Sequence, residues 1–106
     1  MGTYGTVPKN LFRWVQGKDL ISTYQQNENL KRMFCSQCGS FLAGTHDLDL
    51  NNIFISLGSL DSNADIEIQY QQFINSKAEW VKLDKNIKFH EEWPKWVYEK
   101  IGRKDA

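Results

Sequence analysis

The feature that most constrains this chain is its one pair of cysteines. Cys35 and Cys38 lie in the segment Phe34-Cys35-Ser36-Gln37-Cys38-Gly39, and the chain has no other cysteine. Two thiols in CxxC spacing followed by glycine are typical of a tight metal-binding turn, because the backbone N–H groups of the turn point at the sulfurs and glycine accepts a positive φ. We call residues 35–39 the cysteine knuckle. We predict that Cys35 and Cys38 are metal ligands and that the cofactor is zinc.

Two thiolates supply half of a structural zinc site, which takes four ligands. Within the chain, the side chains proposed to complete it are His46, Asp47 and His90. The alternative is a second copy of the chain across a two-fold axis, whose knuckle would supply the other two cysteines. We favour this shared site, which predicts a homodimer.

A CxxC pair also occurs in redox proteins. A thioredoxin-like pair would lie at the N-terminus of a helix, where the helix dipole lowers the pKa of the first thiol. Here the residues that follow Cys38, from Gly39 to Gly44, have the composition of a turn and a strand. The sequence therefore favours metal binding over redox chemistry, and a pair of free thiols is the remaining alternative.

The overall composition excludes several classes of partner. At 106 residues, with 41% hydrophobic and 25% charged residues, the chain is predicted to form one folded domain over residues 1–106. Its 13 basic residues balance its 13 acidic residues, which removes the electrostatic attraction expected of a protein that binds nucleic acid or an anionic membrane. The sequence contains neither a signal peptide nor an apolar run of about 20 residues. We therefore predict a cytoplasmic protein.

The pattern of apolar residues predicts a mainly β fold. Most segments are short, rich in β-branched and aromatic residues, and bounded by turn formers, without the strand–helix alternation of a parallel sheet. The predicted strands are residues 3–7, 11–15, 20–24, 30–34, 40–44, 52–57, 66–71 and 80–83, with 11–15 and 20–24 paired as a hairpin and the knuckle joining 30–34 to 40–44.

One helix is predicted, at the C-terminal end. Trp93, Val97 and Ile101 are spaced at i, i+4 and i+8, Pro94 suits the first helical position, and Gly102 would end the helix.

Three segments in a fixed order resemble a known family. Arg32 to Ser40 contains the knuckle, Leu57-Gly58-Ser59-Leu60-Asp61 follows, and Ser76-Lys77-Ala78-Glu79-Trp80 comes third. The residues that precede the knuckle in the chain add to this pattern, and they are Val7 to Phe12, Gly17 and Tyr24. Together these features resemble the glutathione-dependent formaldehyde-activating enzyme family, which also includes centromere protein V.

The resemblance implies a zinc-containing, mostly β architecture, the β-tent, with antiparallel sheets. Family members carry a CxC pair near their start, which completes a structural zinc site with the cysteines matched here by Cys35 and Cys38. They also carry a second CxxC cluster, which holds the zinc used in chemistry on glutathione adducts, just before the segment matched by Met1 to Phe12. This sequence has neither cluster. We therefore expect it to be an N-terminally incomplete domain.

Two hypotheses about function follow. In the first, the resemblance implies a carbon–sulfur lyase of the S-(hydroxymethyl)glutathione synthase type, which joins formaldehyde to glutathione. We expect this form to be inactive, because the cysteines for the catalytic zinc are absent from this sequence. Its partner would be glutathione or a small thiol–aldehyde adduct. In the second, the chain is a non-catalytic zinc-binding or interaction module, and Cys35 and Cys38 serve folding alone. The catalytic residues are not identified.

Other side chains suggest weaker hypotheses about the site. Asp61 would cap a turn beside the active region, and Lys77 would either meet a substrate carboxylate or remain solvated. The tryptophans Trp14, Trp80, Trp93 and Trp96 would either pack in the core or offer stacking surfaces.

Overall fold

The computed structural model describes residues 2–62 and 64–101. Within this part, the chain divides into two compact units, one of residues 2–62 and the other of residues 64–101. The expectation of a single domain stays a prediction.

The first unit is built on a five-stranded antiparallel sheet. Four consecutive strands, β2 to β5, form a meander in which each strand pairs with the next, and β1 pairs with β5 at the far side. The strand order is therefore β1-β5-β4-β3-β2, with β1 and β2 at the edges. The strands are β1 (Tyr4–Pro8), β2 (Ile21–Gln25), β3 (Leu30–Cys35), β4 (Phe41–His46) and β5 (Asn52–Ser56).

The centre of this sheet is its most buried part. Ala43 in β4 and Ile53 in β5 are buried, with 1% and 6% of their surface exposed. Gly44 is also buried, and the ring of Phe54 lies directly over it. The absence of a side chain at Gly44 therefore makes room for an aromatic ring on the sheet.

Three aromatic rings form a cluster around that position. Tyr4 contacts Phe41 and Phe54 edge-on, at centroid distances of 5.7 Å and 5.8 Å, and Phe41 lies 6.1 Å from Phe54. Arg32 places its guanidinium 5.2 Å from the centroid of the Phe41 ring. Edge-on ring pairs stabilise a fold by about 0.5–1.5 kcal/mol each beyond burial of their area, so the cluster ties β1, β4 and β5 together.

The second unit has little regular structure. Its strands β6 (Tyr70–Gln71) and β7 (Lys88–Phe89) are two residues long and pair in parallel. Its helix α1 spans Lys95–Ile101. Short 3-10 turns complete the two units, at Lys9–Leu11, Lys18–Leu20, Leu57–Ser59 and Ile74–Ser76.

The mainly β fold with a short C-terminal helix is confirmed, whereas the β-tent stays a prediction. Pro94 is fully buried and precedes the helix, and its carbonyl accepts the Val97 N–H at 3.0 Å. The predicted stop at Gly102 lies outside the described residues. No helix in the described ranges has the length and apolar character needed to span a membrane.

The predicted strand over residues 11–15 is wrong, and so is its hairpin with 20–24. Leu11 ends a 3-10 turn, the following residues are irregular, and β2 pairs with β3 instead. The apolar residues of this segment, Leu11, Phe12, Trp14 and Val15, do not alternate as those of a one-sided strand must. Leu11 and Val15 are instead 78% and 82% exposed.

Two strands predicted in the second half are also wrong, wholly or in part. Of residues 66–71, only Tyr70–Gln71 form a strand, because the partner Lys88–Phe89 offers a ladder of two residues. Ile66 and Ile68 are consequently half exposed, at 51% and 44%. Residues 80–83 do not form a strand, because Trp80 belongs to a turn in which the Val81 N–H donates to the Ala78 carbonyl at 3.0 Å and residues 81–83 are irregular. Alternation alone does not produce a strand without a partner of matching length.

Candidate metal centre

The cysteine knuckle joins β3 to β4 at one end of the sheet. Cys35 is the last residue of β3, and β4 begins at Phe41. The Cys35 N–H donates to the Ser40 carbonyl at 2.9 Å, and the Gly39 N–H donates to the Cys35 carbonyl at 2.8 Å. The Ser36 N–H donates to the Leu20 carbonyl at 2.9 Å, which anchors the knuckle to the start of β2. The prediction that the knuckle connects these two strands is confirmed.

Gly39 has the backbone conformation that the sequence analysis expected. Its φ is +80°, in the left-handed region that residues with a Cβ adopt only at a cost. The space around it is open, because a Cβ built at Gly39 would meet no atom within 4 Å. Glycine is therefore required here by the backbone angle and not by crowding.

The two thiols differ in exposure. Cys38 is exposed and Cys35 is half-buried, and they are not joined by a disulfide. The Sγ atom of Cys38 lies 3.3 Å from the Oγ atom of Ser40. Hydrogen bonds from the Ser40 hydroxyl, from the Ser40 backbone and from the Cys35 side chain, in that order of importance, lower the pKa of Cys38 below its ordinary value of 9.0. The knuckle thus favours the thiolate, which is the form that binds metal.

A thioredoxin-like arrangement is absent. Cys35 ends a strand, and the residues after Cys38 pass through a turn into β4, as the sequence indicated. There is no helix dipole at this position to activate the first thiol. The geometry is that of a β-hairpin turn carrying two thiols.

His46 and Asp47 do not complete a site at these cysteines. His46 is the last residue of β4 and pairs with Leu30, at the opposite end of the hairpin from Cys35. At about 3.4 Å per residue, the length of β4 separates the two ends by about 17 Å. The Nδ1 atom of His46 accepts the Leu48 N–H at 3.2 Å, and Asp47 lies 4.0 Å from the Nζ atom of Lys31.

His90, the other histidine, belongs to the second unit. Its backbone N–H donates to the Gln71 carbonyl at 2.7 Å, and its ring contacts that of Tyr70 edge-on at 5.6 Å. Nowhere in residues 2–62 and 64–101 do three histidine, cysteine or acidic side chains come together in a group that could hold a metal ion. Cys35 and Cys38 therefore have the donor atoms that zinc prefers, but they are two ligands and a structural zinc site has four.

The remaining candidate residues do not form a site with the cysteines within the first unit. Asp61 is exposed, and Trp14 packs edge-on against Phe12 at 5.0 Å. In the second unit, Lys77 is exposed and Trp80 is 84% exposed. Trp93 and Trp96 pack edge-on against rings of the second unit, Phe73 at 5.8 Å and Tyr70 at 6.4 Å.

Sequence reasoning missed the role of Ser40. It was assigned to the following strand, whereas its hydroxyl lies beside Cys38 and its carbonyl closes the turn. The available signal was the position of a hydroxyl residue two places after the second cysteine, within reach of that sulfur.

Comparison with known proteins gives one match. The family model described as "Glutathione-dependent formaldehyde-activating enzyme" matches residues 1–76, which is well over half of the chain. The matched range contains the whole antiparallel sheet and the knuckle, and it ends at the first residue of the third segment used above for the resemblance. The searches of curated proteins and of solved structures found no match.

Proposed function

Because the chain belongs to the glutathione-dependent formaldehyde-activating enzyme family, we propose that it is a zinc-binding member of that family in which Cys35 and Cys38 are structural ligands. The observation that carries this proposal is the knuckle itself. Its backbone hydrogen bonds hold both thiols on one short turn, and Ser40 favours the thiolate of Cys38. Such a turn offers zinc two thiol ligands from one short segment of the chain.

The reaction class proposed for the family domain is carbon–sulfur bond formation between glutathione and formaldehyde. The glutathione sulfur attacks the carbonyl carbon, a C–S bond forms, and the carbonyl π electrons move to the oxygen, which takes up the proton lost by the thiol. The reverse of this step is the lyase reaction. A zinc ion in such a site supplies Lewis acidity and orients the reactants.

We propose that this chain does not catalyse that reaction by itself. It has two cysteines, and one turn holds both. They cannot serve a structural zinc and a second, catalytic zinc at once. The cytoplasmic location and a glutathione or thiol–aldehyde partner are parts of the same proposal.

A second function is favoured by a specific observation. The knuckle is an exposed turn at the end of a hairpin, which suits a module whose cysteines bind zinc for folding or association alone. Both functions include zinc binding at the knuckle. They differ in whether glutathione–aldehyde chemistry belongs to the protein.

Zinc binding is tested by titrating the reduced chain with Co²⁺, which reports thiolate ligation through charge-transfer absorption. We expect this absorption for the wild type and its loss in the Cys35→Ser and Cys38→Ser variants. His46→Ala is the matched control and should behave as the wild type, because His46 lies at the far end of the hairpin. Absence of thiolate absorption in the wild type would refute zinc binding at the knuckle.

The reaction is tested by measuring the exchange between glutathione, formaldehyde and their adduct by NMR, with and without the zinc-loaded chain. We expect no acceleration. An acceleration that Cys38→Ser abolishes would contradict the structural role of the knuckle. A zinc-dependent acceleration that survives this substitution would show that the chain is active through other residues.

A further inference from the structure

The outer edge of β2 carries backbone groups that the sheet leaves unpaired. At the end of β2, the Gln26 N–H donates to the Leu30 carbonyl at 2.9 Å, so the backbone of Gln26 faces β3. In an antiparallel pair, successive residues point their backbone groups alternately towards the partner strand and away from it. The N–H and C=O groups of Thr23 and Gln25 therefore point away from β3, and no group in the described part of the chain pairs with them.

The opposite edge of the sheet is protected against further pairing, whereas β2 is not. The Lys9 N–H donates to the Asn51 carbonyl, so by the same alternation Thr6 and Pro8 point their backbone away from β5. Pro8 has no N–H to offer a further strand. Residues 20–27, which contain β2, include neither proline nor a charged residue, and the register of β2 with β3 has no bulge. These are the features by which proteins keep edge strands from pairing.

We propose that β2 pairs with β2 of a second copy of this chain, antiparallel across a two-fold axis that passes beside Tyr24. The two five-stranded sheets then form one continuous sheet. This interface involves neither cysteine and does not depend on the proposed zinc binding.

The register of this pairing satisfies the free backbone groups. With Tyr24 at the axis, Thr23 of one copy lies opposite Gln25 of the other, and the two residues exchange both of their N–H···O bonds. The two-fold axis repeats the pair, so every free N–H of Thr23 and Gln25 finds a carbonyl. Tyr24 lies opposite its own copy, where Cα atoms are about 4.5 Å apart. It is 59% exposed in the single chain, and aromatic pairs at such positions stabilise sheets.

The distribution of charge favours a second copy of the chain as the partner. Because residues 20–27 are uncharged, no like charges meet at the axis. The nearest basic residues along the sheet, Lys31 and Arg32, lie on β3. Strands are about 4.8 Å apart, so β3 of one copy lies about 14 Å from β3 of the other, beyond the Debye length of about 8–10 Å. A strongly charged peptide would find no opposite charge on β2, whereas an identical neutral strand meets no repulsion.

Sedimentation velocity of the full chain over a range of concentrations, with and without a chelator, tests the proposal. We expect a species of twice the chain mass of 12.4 kDa in both buffers. Thr23→Pro removes an N–H that β3 does not use, and Tyr24→Lys places two like charges at the axis. Each should raise the Kd of the dimer by at least about tenfold. Thr6→Lys, at an exposed position of the opposite edge, is the matched control and should dimerise as the wild type does.

Hydrogen exchange measured by NMR locates the interface. The amides of Thr23 and Gln25 should exchange more slowly at concentrations where the dimer forms. The Tyr24 amide, which faces β3, should be protected in the monomer as well.

The possible results separate this inference from the proposed function. A monomer at all concentrations would overturn the dimer. A dimer that leaves the exchange of Thr23 and Gln25 unchanged, or that Tyr24→Lys retains, would overturn the interface at β2. A dimer that the chelator abolishes would also overturn it, because the pairing requires no metal. Failure of the chain to bind Co²⁺ through its thiols would refute zinc binding and leave this interface standing.

Discussion

Replacing Gly44 by alanine should destabilise the first unit, because the new methyl group would overlap the ring of Phe54. The added Cβ would lie 2.5 Å from Cε2 and 2.8 Å from Cε1 of that ring, whereas carbon atoms pack best at about 3.5–4.0 Å. Cζ of the ring would lie closer still, so the ring must move by about 1.5 Å. Its neighbours Tyr4 and Phe41, at 5.8 Å and 6.1 Å, resist that movement.

The expected cost combines two opposing effects. Overpacking of this kind costs about 1–3 kcal/mol, and displacing the ring weakens edge-on contacts that contribute about 0.5–1.5 kcal/mol each. Alanine recovers about 0.5–1 kcal/mol, because glycine loses more backbone entropy in a strand. We expect Gly44→Ala to lower the free energy of unfolding by about 1–3 kcal/mol. Each kcal/mol corresponds to about 4–8 °C in Tm for a domain of this size.

Urea denaturation followed by far-UV circular dichroism measures this loss of stability. Repeating the measurement in a Phe54→Val variant tests whether the overlap with the ring causes the loss. Phe54→Val keeps a β-branched residue in β5 but removes the ring atoms that overlap the new methyl. In that background Gly44→Ala should be neutral or stabilising by up to about 1 kcal/mol. Gly58→Ala is the control, since its Cβ would meet only the Ser56 Oγ, at 4.0 Å. An equal loss of stability in both backgrounds would refute the overlap as its cause.

Three further predictions concern the turn and the second unit. Gly39→Val should destabilise the metal-free chain by about 1–2 kcal/mol, because valine resists the left-handed backbone; Gly39→Asn should cost less, and equal losses in denaturation experiments would contradict this. Ser40→Ala should raise the pKa of Cys38, so that alkylation of the metal-free thiol below pH 9.0 becomes slower. An unchanged dependence of the alkylation rate on pH would exclude the Ser40 hydrogen bonds as the cause of the lowered pKa. Burial raises the pKa of Tyr70 above its ordinary value of 10.0, so stability should fall as the pH rises above 10.0, and Tyr70→Phe should remove that part of the fall. Ultraviolet titration of the phenol, which should ionise later than an exposed tyrosine, checks the last prediction.

The parts of the fold that the sequence predicts are those decided by local chemistry. Gly39 has a positive φ, and Cys35 and Cys38 precede it in the spacing of a metal-binding turn, so the place of this turn between β3 and β4 can be inferred directly. The runs that form β4 and β5 are rich in apolar residues and lie next to each other in sequence. Their pairing follows from short connections.

The parts that could not be predicted depend on partners distant in sequence. β1 pairs with β5, and the sequence of residues 4–8 contains no signal that specifies this partner. The alternating segment from Ile66 to Gln71 is a strand over two residues because β7 is two residues long. In the candidate site, His46 lies eight positions after Cys38 in sequence, yet the intervening strand carries it to the other end of the hairpin.

The central claim of the proposed function is that Cys35 and Cys38 of the knuckle bind zinc. X-ray absorption spectroscopy of the zinc-loaded chain, prepared in a buffer without thiols, measures the atoms bound to zinc directly. We predict sulfur ligands at about 2.3 Å, which should be lost when Cys35 and Cys38 are both replaced by serine. Nitrogen or oxygen ligands alone, at about 2.0–2.2 Å, would contradict zinc binding at the knuckle.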